Sequence, residues 1–524
     1  EPSLQLGNGN WAGKSGNLLA YHKANNNFYA DDLTFARAST GTIVNSDGLI
    51  EEVPYNKFKY SEQFDNAYWT KSNVTITANA TISPDGTQNA SEIVGTTSSN
   101  FTRAVNVAVS SGDTTMSCYV KSNDGIERDF VFGAGSLGAS NNGTFTATSE
   151  WQRVEFTINT TAQSTDFGFF NSSGNQLNMY IYGAQLNSGS TAKTYYPTTT
   201  RLNIPRVDYL NNANGSLLLE PQRTNLITQS EAFDNAYWTK SGSSVVSGTT
   251  SPNGTANAFK LVEDTSTGNH FIVTALNISV TSGSAYTQSI FVKPNGRTKI
   301  GFRDSQGSGK YASFNLSNGT LIEQNGDAFS IEPYLNGWYR ISVTMDASGT
   351  NWKPTLYLLP NSYTTGSPQL TTYTGDGTSG VYIYGAMLEA GSYPTSYIPT
   401  SGTTVTRLAD TCATTGLSDV IGQTEGTIFI DFDKDYAKVS ERYLVIGDGT
   451  TSNRIMIIGG TGGSIRGFIS TSGVIQFDNS TGTAIGSHKV AIAYAANDIA
   501  FYVDGVQIAL DTSATIPAVG NLYI

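Results

Sequence analysis

Short runs of alternating apolar and polar residues, separated by clusters of Gly, Asn, Asp and Ser, recur along nearly the whole chain. The segment FTRAVNVAVSSGDTTMSCYVKSNDG (101–125) is typical. A period of two places successive side chains on opposite faces of a strand, and the polar clusters suit turns. The pattern predicts an all-β chain built from antiparallel sandwiches.

A long internal repeat divides this pattern into two copies. YSEQFDNAYWTKS (60–72) recurs as QSEAFDNAYWTKS (229–241), and YIYGAQL (180–186) recurs as YIYGAML (382–388). The separation grows from 169 to 202 residues between these two matches, so the second copy has gained 33 residues. The order of the matches is preserved, which indicates a duplicated domain.

The inserted regions of the second copy are the better place to seek binding residues, because loops tolerate growth and often carry function. Trp352 and Tyr363 lie there and are candidates. The repeated FDNAYWTKS motif has two interpretations. Trp69 and Trp238, each with the tyrosine before it, could stack on sugar rings. Their retention in both copies is more typical of shared core packing, which we favour.

Two further tryptophans also match between the copies. Trp151 and Trp338 each precede a run of alternating residues. A strand start is a natural place for burial, so both are predicted to be core residues. Cys118 aligns with Ile290, which predicts a buried thiol.

Residues 403–524 have a different pattern, in which short apolar strands are each closed by a turn. Asp448-Gly449 and Asp504-Gly505 between apolar runs are strong hairpin signals. In HKVAIAYAA (488–496) both faces are apolar, as a central sandwich strand needs. The chain stops soon after another strand begins, so we expect the last strands of this domain to be missing.

Length and charge narrow the possible partners. A chain of 524 residues exceeds a single core and predicts several domains. Its formal net charge of -12 argues against nucleic acid as a partner, and no apolar run is long enough to predict membrane insertion. Only two cysteines occur, so no disulfide framework is predicted.

The chain contains histidines and many carboxylates, but they do not occur in the sequence motifs that are typical of catalytic sites. The chain has three histidines, none near a nucleophile motif, and no motif selects a carboxylate pair. Asp431, Asp433 and Asp435 resemble the start of a calcium loop, but Tyr436 and Arg442 occupy the positions that require Gly and Glu. The chain is predicted not to be an enzyme and to have no cofactor. A structural calcium ion is left open, with no ligands named.

Three segments carry a family resemblance: LTFARASTGTIVNSDGLIEEVPYN (33–56), GSLLLEPQRTNLITQSEAFDNAYWTKS (215–241) and YIYGAMLEAGSYPTSYIPTSGTTVTRLAD (382–410). They resemble tailed-bacteriophage structural proteins, namely tail-fibre or capsid-appendage components with carbohydrate-binding-module-like jelly rolls. The C-terminal part resembles the concanavalin A-like lectin (laminin G-like) sandwich. The resemblance implies tandem antiparallel jelly-roll β-sandwiches followed by a concanavalin A-like β-sandwich.

The resemblance also implies a role. It implies a non-catalytic, extracellular virion-surface protein, a tail fibre or a head fibre decorating the capsid, that attaches to host cell-surface polysaccharide. Other virion structural proteins would be its partners, and a homotrimer is left open. The predicted domains are 1–58 (N-terminal segment with a β-hairpin), 59–200 (jelly-roll module 1), 201–228 (connecting β-hairpin segment), 229–402 (jelly-roll module 2) and 403–524 (lectin-like domain).

The alternation in YIYGA places tyrosines on one strand face and Ile181 or Ile383 on the other. The isoleucine face fits the core. The tyrosines would then line the exposed sheet, where the resemblance implies glycan binding. The candidate glycan-binding residues are therefore Trp352, Tyr363, Tyr180, Tyr182, Tyr382 and Tyr384.

Two other functions compete with this one. The chain could be the ancillary carbohydrate-binding portion of a polysaccharide-degrading enzyme, or a purely structural decoration protein with no ligand. A catalytic domain following residue 524 would favour the first, and an empty glycan array would favour the second.

Overall fold

The computed structural model confirms the all-β class, with successive antiparallel sandwiches. It describes residues 7–8, 20–22, 27–29, 34–37, 39–53, 56–109, 112–134, 141–160, 163–172, 175–193, 195, 197–199, 205–211, 215–304, 310–419, 421–434, 442–482 and 485–524. Short 3-10 turns occur at Leu335–Gly337, Pro368–Leu370 and Thr461–Gly463. Within this described part, no helix has the length and apolar character needed to cross a membrane.

The N-terminal strands are short. They are β1 (Gly7–Asn8), β2 (Ala20–His22), β3 (Asn27–Tyr29), β4 (Thr34–Ala36), β5 (Gly41–Val44) and β6 (Ile50–Val53). β5 and β6 form a hairpin within the predicted segment 1–58, whose first 33 residues lie largely outside the described residues.

Module 1 is a sandwich of two five-stranded sheets. Its strands are β7 (Trp69–Ser72), β8 (Val74–Thr81), β9 (Ala90–Gly95), β10 (Phe101–Val109), β11 (Gly112–Ser122), β12 (Arg128–Gly133), β13 (Asn142–Ala147), β14 (Gln152–Thr160), β15 (Gln163–Asn171) and β16 (Asn178–Ser188). The sheet orders are β13-β12-β15-β10-β7 and β14-β11-β16-β9-β8. Along β11, Met116, Cys118 and Val120 are fully buried at a period of two, which confirms the buried thiol.

Three strands connect the modules: β17 (Arg206–Asp208), β18 (Ser216–Leu218) and β19 (Arg223–Asn225). Module 2 then contains β20 (Trp238–Ser241), β21 (Ser243–Thr249), β22 (Ala258–Glu263), β23 (Thr267–Gly268), β24 (His270–Thr274), β25 (Ile278–Ser279), β26 (Ala285–Asn295), β27 (Lys299–Asp304), β28 (Tyr311–Asn315), β29 (Thr320–Gln324), β30 (Ala328–Tyr334), β31 (Trp338–Asp346), β32 (Asn351–Trp352), β33 (Pro354–Leu359), β34 (Tyr373–Thr374) and β35 (Gly380–Ala390).

Module 2 repeats the two sheets of module 1 and adds one edge strand to each. The orders are β20-β24-β33-β27-β28-β29 and β21-β22-β35-β26-β31-β30. The added strands β29 and β30 follow each other in the chain. They account for part of the length that the second copy gained, and the long connection between β33 and β35 accounts for most of the remainder.

The C-terminal sandwich has a seven-stranded and a four-stranded sheet. After β36 (Val405–Arg407), which pairs with β19, its strands are β37 (Thr411–Thr414), β38 (Glu425–Lys434), β39 (Arg442–Gly447), β40 (Arg454–Gly459), β41 (Ile465–Thr471), β42 (Val474–Thr481), β43 (Gly486–Ala495), β44 (Asp498–Val503), β45 (Val506–Asp511) and β46 (Asn521–Tyr523). The orders are β4-β37-β46-β39-β40-β41-β42 and β38-β43-β44-β45.

The turn between β44 and β45 is the hairpin that the sequence predicts. Asp504 and Gly505 have φ values of 52° and 80°, and a tight type I′ turn requires φ > 0 at both positions. In β43, Val490, Ile492 and Tyr494 are buried, whereas the alanines on the opposite face are only partly buried. The strand lies between β38 and β44, as predicted for a central strand, but only the face with Val490, Ile492 and Tyr494 packs on the core.

The chain divides into two units. One contains both modules (Ala38–Arg206 and Thr224–Arg407), and the other contains Glu1–Arg37, Val207–Arg223 and Leu408–Ile524. Both copies of the repeat thus belong to one unit.

Candidate functional site

Trp352, a candidate glycan contact, lies in the core of module 2. Its side chain is 0% exposed, its ring lies 5.7 Å from that of Tyr286, and its Nε1 donates to Oε1 of Gln288 at 3.0 Å. A ring with no exposed surface offers no face to a sugar, so this assignment is corrected. The short pairing of β32 with β25 turns the residue inward.

Tyr363, the other candidate from the inserted regions, is also buried. It packs with Tyr357 and Leu359 in a small apolar cluster, and its hydroxyl bonds the carbonyl of Gly366 and, at 3.0 Å, the Oγ of Ser313. The insertion folds back over the outer surface of its own sheet, and Tyr363 fastens it there. Its role in glycan contact is corrected on the same ground.

The tryptophans of the repeated motif are core residues, as we favoured. Trp69 is 1% and Trp238 5% exposed, and each donates its indole N–H to a backbone carbonyl. Trp338 is buried as predicted. Trp151 is not: it is only half-buried, with Nε1 donating to the carbonyl of Ile82 at 3.1 Å.

The YIYGA strands keep their isoleucines in the two cores, as predicted, but bury one tyrosine of each pair. Ile181 and Ile383 are fully buried. Tyr182 and Tyr384 are 5% and 2% exposed, which corrects their assignment as exposed sheet residues. Tertiary packing buries these two tyrosines, because the chain segments that flank each sandwich fold over this half of the sheet.

In module 2 the covering segments form a closed hydrogen-bonded network. The hydroxyls of Tyr384 and Tyr397 both donate to Oε1 of Glu231 at 2.9 Å, and the Ser230 hydroxyl bonds that of Tyr397 at 2.8 Å. Burial raises the pKa of Glu231 and raises those of both tyrosines. The network fastens the flanking segments to the sheet.

Module 1 contains the equivalent network at equivalent positions. Tyr195 donates to Oε1 of Glu62 at 3.0 Å and bonds the hydroxyl of Ser61 at 2.7 Å. Tyr182 donates to Asp85, whose place in module 2 is taken by Asn253. Duplication of a fully partnered network indicates a structural role shared by both copies.

The other tyrosine of each pair, Tyr180 or Tyr382, remains partly exposed on the outer face of its sheet. In module 2, Tyr382 belongs to a row of residues that crosses four neighbouring strands. The register places Val246 opposite Lys260, Lys260 opposite Tyr382, and Tyr382 opposite Lys293. Asn295 donates from Nδ2 to the Tyr382 hydroxyl at 2.8 Å. We call Val246, Lys260, Tyr382 and Lys293 the outer row of module 2.

The outer row of module 1 consists of Thr77, Glu92, Tyr180 and Lys121, in the same order across the equivalent strands. Glu92 accepts a hydrogen bond from Nδ2 of Asn123 at 2.8 Å. With strands about 4.8 Å apart, each row extends roughly 14 Å. A partly exposed ring flanked by long polar side chains can stack on one face of a pyranose and bond its hydroxyls.

The row lysines and Glu92 are candidate site residues that the sequence analysis missed. The signal was present in the repeat, because aligning the copies sets Glu92 against Lys260 and Lys121 against Lys293. Only the cross-strand register shows that they flank the tyrosines. The glycan contact of Tyr180 and Tyr382 stays a prediction.

A second cluster without a sequence signal lies in module 2. Glu263, with its side chain 0% exposed, accepts a bidentate pair from Arg297, and the Tyr373 hydroxyl donates to it at 2.7 Å. The Arg297 guanidinium lies over the Tyr373 ring, 5.0 Å from its centroid. These contacts hold the connection between β33 and β35 against β22, so the cluster orders the inserted loop.

Metal-ligating groups are not gathered in the described residues, where no three His, Cys, Asp or Glu side chains could hold an ion together. Of the aspartates in the calcium-like sequence, Asp431 and Asp433 lie on β38, and Asp435 is outside the described residues.

No family model and no curated protein matches the chain. Among solved structures, the N-terminal CBM22-1-CBM22-2 tandem domain from Paenibacillus barcinonensis Xyn10C is 15% identical, with 62% of this chain and 93% of that chain covered and a TM-score of 0.21. The LG1-3 region of the laminin alpha2 chain is 10% identical (80% and 91% covered, TM-score 0.15). The M60 catalytic domain with CBM51-1 and CBM51-2 from Clostridium perfringens ZmpB is 10% identical (67% and 43% covered, TM-score 0.18). Overlaps at such TM-scores carry no argument, so function has to be inferred from the chain's own residues.

Proposed function

We propose that this chain is a non-catalytic glycan-binding protein, and that the outer rows of modules 1 and 2 are its binding surfaces. The observation that carries the proposal is the duplicated row, in which a partly exposed tyrosine is flanked by long polar side chains on a broad sheet face. Flat aromatic faces beside hydrogen-bonding groups suit sugars.

The biological setting that we propose is the surface of a bacteriophage virion, as a tail fibre or head fibre that attaches to host polysaccharide. The support is the resemblance of the segments at 33–56, 215–241 and 382–410 to virion structural proteins. Two weak sites on one chain, multiplied by many copies on a particle, suit adhesion because linked sites raise the effective concentration.

A glycan array tests the binding. The wild-type chain should retain glycans, and the Tyr180→Ala/Tyr382→Ala double variant should lose about fivefold in affinity at each site, since stacking of one ring is worth about 1 kcal/mol. Tyr382→Phe is the matched control: it keeps the ring, removes only the bond to Asn295 and should retain binding. An array on which the wild type binds nothing, or on which the double variant binds unchanged, contradicts the proposal.

The virion setting has its own test. An antibody against the chain should label the particle surface of the phage whose genome encodes it, and free chain should compete with that phage for adsorption to host cells. Finding the chain covalently continuous with a hydrolase, secreted without particles, would replace the virion role with that of an enzyme's ancillary module.

A further inference from the structure

The outer rows of the two modules differ in charge, although they share a tyrosine and a lysine. In module 1 the carboxylate of Glu92 offsets the ammonium of Lys121 on opposite sides of the tyrosine. In module 2 the tyrosine has a lysine on each side, Lys260 and Lys293. The replacement of Glu92 in module 1 by Lys260 in module 2 therefore changes the charge of the row from balanced to positive.

The two ammonium groups of module 2 are placed to act on one ligand. Their strands are separated by two spacings, so the chain positions lie about 10 Å apart with the Tyr382 ring between them. Lys260 donates to the carbonyl of Thr378 at 2.7 Å, which leaves its other N–H bonds free to donate. Within the described residues Lys293 has no ion-pair partner.

No carboxylate of the described residues forms an ion pair with Lys260 or Lys293. The exposed carboxylate of Asp376, two residues before the Thr378 carbonyl that binds Lys260, lies 3.9 Å from the Arg297 guanidinium. Glu263, three residues beyond Lys260 on β22, is buried and bound by Arg297. The chain as a whole carries a net charge of -12, but charges beyond about 8 Å are largely screened at physiological ionic strength. The local pair of lysines therefore decides the interaction with a ligand in contact with the row.

We infer that module 2 selects acidic glycans, whose carboxylate or sulfate groups bind Lys260 and Lys293 while a sugar ring stacks on Tyr382, and that module 1 does not share this preference. The inference rests on the proposed glycan binding and names the ligand class of its second site. Exposed Val246 extends the row and offers an apolar contact for a further sugar unit.

The experiment compares an array of neutral, carboxylated and sulfated glycans with the full chain. Lys260→Glu and Lys293→Glu should each weaken binding of the acidic glycans by about tenfold, because each replaces an attraction with a repulsion at a partly exposed site. Raising the salt concentration should weaken the binding of the acidic glycans and leave the binding of neutral glycans unchanged. The carboxylated and sulfated arms decide which anion is preferred.

Two further variants keep the test decisive. Lys353→Glu makes the same charge change between β32 and β33, two strands outside the sheet that carries the row, and should leave binding unchanged. Glu92→Lys makes module 1 cationic and should add acidic-glycan binding even if a module 2 variant folds poorly.

The outcomes separate the two proposals. A wild type that binds no glycan overturns both. A wild type that binds only neutral glycans, or that binds acidic glycans no better than Lys260→Glu and Lys293→Glu do, overturns the acidic preference and leaves glycan binding standing. Loss with the two row variants but not with Lys353→Glu supports the assignment.

Discussion

Replacing Trp352 by Ala should destabilise module 2 rather than remove a binding contact. The side chain is 0% exposed, belongs to the module 2 core and bonds Gln288. A buried Trp→Ala change costs about 3 to 5 kcal/mol, and part of this comes from the acceptor of Gln288 left unpaired in the core. For a domain of this size that corresponds to a lowering of Tm by roughly 10 °C.

Scanning calorimetry of the full chain measures the shift, and hydrogen exchange read by mass spectrometry locates it. Protection should fall in β25, which pairs with β32, and in β26, which carries Tyr286 and Gln288 beside the indole. Trp151→Ala is the matched control in module 1, where the half-buried ring should cost about 1 kcal/mol. A Trp352→Ala protein with an unchanged thermal profile and abolished glycan binding would refute the reasoning and return this residue to the binding surface.

Four other predictions concern stability. Burial raises the pKa of Glu231 above its ordinary value of 4.5, so ionisation of this group costs stability as the pH rises above 4.5. Glu231→Gln should therefore gain stability relative to wild type as the pH rises above 4.5, measured by urea titration at each pH. Hydrogen bonds lower the pKa of Glu323, so its contribution is present above 4.5 and lost on acidification, and Glu323→Gln should show the opposite trend. Gly385→Ala should lower stability by about 1 to 3 kcal/mol, because φ is +60° and a Cβ would meet aromatic rings at 3.0 and 3.1 Å; an unchanged Tm would contradict this. Arg297→Met should cost about 3 to 5 kcal/mol by leaving Glu263 buried and unpaired, and adding Glu263→Gln should recover much of the loss in a double-mutant cycle.

The repeat was the most informative feature of the sequence because equivalent positions fold alike. Matching the copies identified Trp69 and Trp238 as core residues and placed the extra length of module 2 in its middle, where β29 and β30 now form. The same reasoning failed for Trp151, which aligns with buried Trp338 yet is half-exposed. Module 2 has the additional strand β30 beside β31, whereas β14 is the edge strand of its sheet in module 1.

The residue pattern by itself determined the all-β class, the two copies, the inward isoleucines and the tight turn at Asp504-Gly505, because each follows from local periodicity or backbone preference. Only the tertiary structure decided which outward tyrosines meet solvent. Strand alternation places Tyr180 and Tyr182 on the same face of the strand. Segments distant in sequence cover Tyr182 and leave Tyr180 partly exposed. Cross-strand register likewise brings Lys260 and Lys293 to either side of Tyr382, and no short-range pattern encodes that neighbourhood because the three residues come from strands far apart in the chain.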